Sequence, residues 1–203
     1  MNRARLALGG AAAATIGASL WWRRNPSACP YGQRFVIQLP HPGITRRGLM
    51  ETLEPRPGER LLELGPGTGY YSLPVAERLA GGRLDIFDIQ QEMLDHVMRL
   101  AGDRGLRNIE PRLGDARKLP YPDDHFDGAF LVTVLGEIPD QEAAVRELAR
   151  VLKPGGRVVF GEMIVDPHIV MTGALRRHAV AAGLEFERRR GSPLAFFARL
   201  RKP

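Results

Sequence analysis

The sequence predicts an α/β domain with a doubly wound, mostly parallel sheet of seven strands. Short apolar segments alternate with amphipathic helical segments, the first apolar segment ends in a glycine-rich turn, and a strand–turn–strand pattern closes the chain. With 203 residues and 44% hydrophobic composition, the chain is long enough for one such domain and a modest extension. We expect the strand order 3-2-1-4-5-7-6, strand 7 antiparallel, and an apolar helix at the N-terminus.

The turn after the first strand carries glycines at alternate positions, Gly65, Gly67 and Gly69. Side chains there would keep a ligand away from the backbone, and some of these positions are expected to need a positive φ. The helix that follows offers free N–H groups and the positive end of its dipole. A dinucleotide-binding turn requires G-x-G-x-x-G, and Tyr70 stands where that spacing expects glycine. Glu63 places a carboxylate at the floor of the turn, which suits an ammonium-bearing ligand better than a pyrophosphate.

The other strands and helices follow in order. Strands are predicted at 83–88, 109–113, 126–132 and, after a glycine turn, up to residue 160; a hairpin of 184–188 and 194–200 turns at 191–193. Helices are predicted over 44–53, from residue 90, over 139–152 and over 173–182. Asp88 ends the second strand about twenty residues after the glycines, where an acid accepts hydrogen bonds from ribose hydroxyls.

The pattern E-x-G-x-G-x-G at 63–69, with Asp88 and the later run Gly114-Asp115-Ala116, resembles the class I S-adenosylmethionine-dependent methyltransferases. The resemblance covers roughly 49–200 and is closest to the quinone- and lipid-directed enzymes. It implies S-adenosylmethionine as cofactor, and in that family an acid at the position of Asp115 bonds the adenine amino group. The cofactor-binding residues that it implies are Glu63, Gly65, Gly67, Gly69, Asp88, Ile89, Asp115, Ala116 and Val132.

The stretch 132–139, after the fourth strand, lies where acceptors usually meet the methyl group in that family. It lacks the Asn/Asp-Pro-Pro-aromatic motif of base-modifying amino methyltransferases, so a nucleic-acid substrate is not expected. Glu137 is a candidate catalytic residue, as a base or as an orienting group; the alternative is that it caps the helix near Pro139. His41, with Phe35 and Ile37, is a candidate for the acceptor pocket, although these residues could equally anchor the extension. No metal-ligand spacing is present.

The net charge of +6 comes from an arginine-rich chain, in which only Lys118, Lys153 and Lys202 of the 29 basic residues are lysines. This bias follows either from genome composition or from a basic surface that favours an anionic membrane or a nucleic acid. Cys29 is the single cysteine, so no intrachain disulfide forms.

The segment 6–22 is uncharged and lies between Arg3 and Arg5 on one side and Arg23 and Arg24 on the other. Its length is at the lower limit for crossing a bilayer, and the excess of basic residues after it leaves the catalytic domain on the cytoplasmic side. We therefore expect a membrane anchor; a soluble N-terminal helix on a cytoplasmic protein is the alternative. The predicted organisation is an anchor over 1–24, a linker and substrate-side cap over 25–57, and the methyltransferase domain over 58–203.

The expected function is methyl transfer to a small lipophilic acceptor at a membrane surface. A quinone precursor and a phospholipid head group both fit. A cofactor-binding accessory protein without transfer activity is the alternative, and an RNA methyltransferase is a weaker one. The sequence leaves the acceptor, the methylated atom and the oligomeric state open.

Overall fold

The protein contains a seven-stranded sheet with the order β3-β2-β1-β4-β5-β7-β6. A computed structural model describes residues 26–34 and 43–203. Strands β1 to β6 run in one direction and β7 is antiparallel to both of its neighbours. The predicted strand order and the antiparallel seventh strand are confirmed.

The strands lie close to their predicted positions. They are β1 (Arg60–Leu64), β2 (Arg83–Asp88), β3 (Ile109–Leu113), β4 (Phe126–Val132), β5 (Leu152–Met163), β6 (Glu185–Ser192) and β7 (Ala195–Arg201). The helices are α1 (Arg46–Leu53), α2 (Ser72–Arg78), α3 (Gln91–Asp103), α4 (Gln141–Val151) and α5 (Thr172–Ala181). Short 3-10 turns occupy Tyr31–Gln33 and Leu135–Glu137.

Two apolar cores cover the two faces of the sheet, as a doubly wound architecture requires. On one face, Phe126 and Phe160 pack with Leu148 of α4. On the other, Leu61 and Phe130 pack with side chains of α1, α2 and α3. Because both faces are covered, the central strands are apolar at almost every position, which made them visible as continuous apolar runs in the sequence.

Helix α1 belongs to the second core. Thr45 caps it, its hydroxyl accepting from the N–H of Gly48 at 3.1 Å, and Leu49 and Leu53 are buried. Arg157, at the start of the buried part of β5, donates to the carbonyl of Glu54 at 2.9 Å and to both carboxylate oxygens of Glu59 at 2.9 and 2.6 Å. This bidentate pair joins the segment after α1 to the amino-terminal edge of the sheet.

Two element boundaries differ from the prediction. Strand β5 begins at Leu152, before its glycines, because Leu152 pairs with Phe126. The last hairpin turns at residues 193–194, not at 191–193, because Ser192 pairs with Ala195 and the Ser192 hydroxyl accepts from the N–H of Ala195 at 3.2 Å. A two-residue connection leaves Gly191 inside β6, with φ = 106°.

The predicted N-terminal apolar helix and its anchor segment 6–22 lie outside the described residues, as do Phe35, Ile37 and His41. Among the helices in the two described ranges, none has the length and apolar character needed to cross a bilayer.

Candidate cofactor and acceptor site

The glycine-rich turn has the backbone conformation that the sequence predicted. Gly65, Gly67 and Gly69 have φ values of 64°, 52° and 77°. The N–H of Gly65 donates to the carbonyl of Phe87 at 2.9 Å, which holds the turn against the end of β2. A Cβ on Gly65 would also lie 2.4 Å from Cγ2 of Val134, so a side chain is excluded by packing as well as by φ.

A cavity of about 370 Å³ opens at the carboxyl ends of β1, β2 and β4. This is where open α/β sheets bind their ligands, at the point where the strand order reverses. Seven of the nine predicted cofactor residues line it: Gly65, Gly67, Asp88, Ile89, Asp115, Ala116 and Val132. The structure thus brings them together, while their role in binding stays a prediction.

The other two predicted residues support the turn from behind. Gly69 faces the core, since a Cβ there would contact Val97 and Leu73 at 3.4 and 3.6 Å. Glu63 is 2% exposed, and its Oε2 has no hydrogen-bond partner among the described residues. Burial, with a contribution from the charge of Asp88, raises the pKa of Glu63 to about 8.

Asp88 lies at the end of β2 with its side chain almost buried in the cavity wall. Its Oδ1 accepts from the N–H of Gln90 at 2.9 Å. Burial raises the pKa of Asp88 to about 6, and the backbone hydrogen bonds from Gln90 and Ile89 oppose the rise. At neutral pH the group is a carboxylate that accepts hydrogen bonds inside a poorly solvated pocket.

Asp115 is the more exposed of the two acids. Arg117 grips its carboxylate with Nε at 3.0 Å from each oxygen and Nη2 at 2.6 Å from Oδ2. This pairing holds the pKa of Asp115 below its usual value. A carboxylate fixed in this way still has acceptor capacity towards an amino group at the cavity rim.

Glu137 lies in the part of the cavity wall that follows β4, together with Thr133 and Val134. Burial raises the pKa of Glu137 to about 8, and the negative charge of Asp166 adds to the rise, while a hydrogen bond from the Cys29 backbone opposes it. The interpretation of Glu137 as a helix cap is wrong: Asp140 caps α4, its Oδ1 accepting from the N–H of Ala143 at 2.9 Å.

Thr133 connects this wall to β5 in an unusual conformation. It has φ = 56°, a left-handed value that costs a β-branched residue energy, and its N–H donates to the carbonyl of Gly161 at 2.8 Å. Two further acids lie behind the wall: Glu162 is buried and accepts from the N–H of Val170 at 3.0 Å, and Asp166 accepts from the N–H of His168 at 2.7 Å. In the described part of the chain, no three acidic, histidine or cysteine side chains form a metal-sized cluster.

Residues 26–29, within the segment 25–57 that was predicted to be a linker and substrate-side cap, form part of the cavity wall, whereas the sequence had pointed to Phe35, Ile37 and His41. The side chain of Gln90 holds this segment: its Nε2 donates to the carbonyl of Cys29 at 3.0 Å, and its Oε1 accepts from the N–H of Tyr31 at 3.0 Å. Gln90 lies about sixty positions after these partners in the sequence, and no local sequence pattern predicts the contact.

The two tyrosines after the glycines are structural. The hydroxyl of Tyr71 donates to the buried carbonyl of Ile44, and Tyr70 packs edge-on against Tyr71 with their ring centroids 4.8 Å apart. Arg46 lies 4.0 Å over the ring of Tyr70. The pair therefore connects the start of α1 to the glycine-rich turn, as aromatic packing predicts.

The residues present fit S-adenosylmethionine. Glycines at the turn leave the backbone open to a ligand, Asp88 places a carboxylate in the cavity wall where a sugar hydroxyl would donate to it, and Oε2 of Glu63, buried beneath the turn, has no hydrogen-bond partner among the described residues. Apolar side chains, among them Phe87 and Met93, complete a wall suited to a planar base.

Comparison with known proteins agrees with this geometry. Residues 62–160 match the family model described as "Methyltransferase domain". The chain is 35% identical over 141 residues to the ubiquinone/menaquinone biosynthesis C-methyltransferase UbiE of Pseudomonas putida, an alignment that covers 68% of this chain and 55% of the relative. The chain spans about half the length of the curated relatives it matches.

Solved structures share the fold at low identity. A SAM-dependent methyltransferase from Aquifex aeolicus superposes with a TM-score of 0.73 and 18% identity, over 87% of this chain and all of the other. The [4+2]-cyclase SpnF superposes with a TM-score of 0.71 and 23% identity, over 78% of this chain and 79% of the other. With its sheet order, glycine-rich turn and family match, the chain belongs to the class I S-adenosylmethionine-dependent methyltransferases.

Proposed function

We propose that the protein transfers a methyl group from S-adenosylmethionine to a small lipophilic acceptor, and that the acceptor is a quinone precursor. One observation carries the proposal: a single cavity joins the glycine-rich turn and Asp88 to a largely apolar wall that contains one carboxyl group, Glu137. The names of the relatives that are at least 35% identical point to the same acceptor class.

The residues of the chain would bind the cofactor and the acceptor, orient them towards each other and exclude water from the reacting atoms. S-adenosylmethionine, when bound, supplies an electrophilic methyl group on a sulfonium. Asp88 and Asp115 would hold the nucleoside on one side of the cavity, and Val134 and Ile138 would hold an acceptor ring on the other. Fixing two reactants in this way lowers the barrier by roughly 7 kcal/mol or more in favourable cases.

Glu137 would take the proton. A dihydroxyaromatic ring becomes a strong carbon nucleophile when one of its hydroxyls is deprotonated, and a carboxylate with a pKa of about 8 is better matched to that proton than an ordinary glutamate. The proton would move from the acceptor hydroxyl to a carboxylate oxygen of Glu137. Apolar neighbours such as Val134 and Ile138 would keep water away from the reacting atoms.

The test is a transfer assay with radiolabelled S-adenosylmethionine, purified full-length chain and lipid extracts that contain demethylated quinone precursors. We expect label in the quinone fraction, and a mass shift of one methyl group in the quinone pool of a host that expresses the gene. Asp88→Ala, whose affinity for the cofactor is expected to be lower, should give less label at a limiting concentration of S-adenosylmethionine. Label in phospholipid instead would keep the enzyme class and replace the acceptor.

A non-transferring function has one observation in its favour, since a protein named as a cyclase shares the fold. Cofactor binding by calorimetry without label in any lipid, quinone or RNA fraction would support that reading over ours. We also propose that the protein acts at the cytoplasmic face of a membrane, with the apolar segment 6–22 as one contact. Fractionation of the full chain and of a chain that begins near residue 25 tests this.

A further inference from the structure

Large exposed apolar side chains are concentrated at one edge of the sheet. The described residues include seven of them, and six lie at the carboxyl ends of the parallel strands, where the cavity opens: Ile89, Leu113, Ile164, Val165, Met171 and Leu194. The seventh, Val180, lies near the end of α5 at the opposite edge. Single exposed apolar side chains are normal, but a one-sided distribution of this kind marks an interaction surface.

Three of these residues lie on two adjacent loops, and we call them the docking rim: Ile164, Val165 and Leu194. The N–H of Ile164 donates to the carbonyl of Leu194 at 2.7 Å, so the loop after β5 and the β6–β7 turn lie side by side. Their side chains are 45%, 72% and 56% exposed.

The docking rim lies on the acceptor side of the cavity. Strand β5 leads directly into it, and the carbonyl of Gly161 in β5 accepts from the N–H of Thr133 in the cavity wall. A surface that covers the rim would therefore also face the mouth of the cavity.

Arginines of α1 and β6 lie beside the hairpin that carries Leu194, and they outnumber the acid with which they pair. Arg47 and Arg190 both pair with one carboxylate, that of Glu51, so two cations share one anion. Arg46, in the first turn of α1, lies over the ring of Tyr70 at the same edge. The chain before α1 touches the hairpin as well, since a Cβ on Gly43 would lie 2.5 Å from Cβ of Ala195. Exposed apolar side chains with an excess of arginine on the neighbouring elements complement an anionic lipid surface.

We propose that the docking rim inserts into the headgroup region of an anionic lipid bilayer and turns the cavity mouth towards the lipid. A lipophilic acceptor would then pass from the bilayer to the Glu137 wall without crossing water. This inference rests on the proposed function only for the identity of the acceptor, since the docking itself involves no chemistry.

The first experiment locates the contact. An environment-sensitive fluorophore is attached to Leu194→Cys and, as a matched control, to Val180→Cys, each in a full-length chain that carries Cys29→Ser. With vesicles of phosphatidylcholine and phosphatidylglycerol we expect a blue shift at position 194 and none at position 180. Equal shifts, no shift, or a probe at 194 that is already blue-shifted before vesicles are added would overturn the proposal; the last outcome would mean that the chain itself or a second copy covers the rim.

The second experiment measures the strength of docking. The triple substitution Ile164→Ser, Val165→Ser, Leu194→Ser should weaken binding to these vesicles by roughly tenfold or more, because it removes three apolar anchors from exposed positions. Val180→Ser, at a side chain that is 79% exposed, should bind like the natural chain. Binding should also be severalfold weaker to pure phosphatidylcholine and at high salt. Unchanged binding of the triple variant would overturn the proposal.

The outcome is separable from that of the proposed function. Vesicle binding requires no acceptor and can succeed even if no methyl group is transferred. Conversely, methylation of a water-soluble quinone analogue by a chain that ignores vesicles would uphold the function and refute the docking.

Discussion

The backbone carbonyl of His168 stands where a side chain at position 136 would have to begin: a Cβ on Gly136 would lie 1.7 Å from that oxygen. Gly136 belongs to the 3-10 turn that carries Glu137 into the cavity wall. The obstacle is backbone, so no rotamer change can relieve the contact. The loop after β5 therefore sets the position of the candidate base.

Gly136→Ala should displace either this turn or the loop against it. We expect a loss of stability of about 1–3 kcal/mol and a lower transfer rate at saturating acceptor. Cofactor affinity should change less than the transfer rate, because Asp88 belongs to β2 and not to this turn. Thermal unfolding, transfer kinetics and calorimetry measure these three quantities.

Gly102→Ala is the matched control, since no heavy atom lies within 4 Å of a Cβ at that position in α3. It should be neutral or stabilising, by up to about 1 kcal/mol. Natural transfer kinetics in Gly136→Ala would contradict the role assigned to this contact.

The pH dependence of transfer follows from Glu137. Its pKa of about 8 means that the carboxyl is mostly protonated below that pH and cannot accept a proton, so kcat should rise with pH, reach half of its maximum near pH 8 and level off above it. Glu137→Gln should remove this rise and lower kcat by about 10²- to 10⁴-fold. Asp140→Asn, which keeps an N-cap acceptor on α4, should retain the natural profile. If Glu137→Gln keeps the rising limb, another group takes the proton.

The cofactor half of the site was predictable because its signals are local. We could locate β1 to β4 from the periodicity of apolar residues, the turn glycines and the acids at strand ends. Seven of the nine predicted cofactor residues line the cavity. Positive φ at Gly65 follows from the tightness of a strand–turn–helix connection, which the spacing alone indicates.

The acceptor half of the site depends on contacts between residues that are far apart in the sequence, and no local sequence pattern predicts such contacts. Nothing near Gln90 indicates that it holds Cys29, and nothing near Asp166 indicates that its charge reaches Glu137. The cap at Asp140 could have been found, because Asp is a better N-cap than Glu and an acid follows at the start of α4. Because Asp140 caps α4, Glu137 is not the helix cap and remains a candidate for the acceptor site.

Asp88 should carry much of the cofactor affinity. Asp88→Ala removes a carboxylate acceptor from a poorly solvated pocket, and we expect binding of S-adenosylmethionine to weaken by roughly 1–3 kcal/mol, or about 5- to 150-fold, in calorimetry. Because the pKa of Asp88 is about 6, we also expect the affinity for S-adenosylmethionine to fall as the pH drops below 6, where protonation removes the charge of the carboxylate. Asp88→Asn should bind weakly without this pH dependence. Natural affinity in Asp88→Ala would refute the assignment.

Two constraints act on Gly65, a positive φ and close packing against Val134, and they can be tested separately. Gly58 and Gly65 both have positive φ, 80° and 64°, but a Cβ on Gly58 meets no atom within 4 Å, whereas one on Gly65 meets Val134. Gly58→Ala should cost about 1–2 kcal/mol of unfolding free energy, the left-handed strain alone. Gly65→Ala should cost more and should also abolish cofactor binding, measured by denaturation and calorimetry. Equal costs would mean that Val134 yields freely.

Stability itself should fall as pH rises, because the fold buries carboxyls in their protonated form. Burial raises the pKa of Glu162 from 4.5 to about 8, so its contribution is fully present below pH 4.5 and is lost as the pH rises through 8. Glu162→Gln keeps an acceptor for the N–H of Val170 but carries no charge, so its unfolding free energy should decline less between pH 5 and 8. The difference should reach about 2–4 kcal/mol at pH 8.

Glu142→Gln removes an equivalent charge from the exposed surface of α4 and should retain the natural slope. Denaturant unfolding at a series of pH values provides the comparison. Glu63 and Glu137 are shifted in the same direction, so Glu162→Gln should flatten the profile in part and leave a residual decline. A variant whose stability declines as steeply as that of the natural protein would mean that Glu162 ionises without cost and that its carboxyl group is open to water.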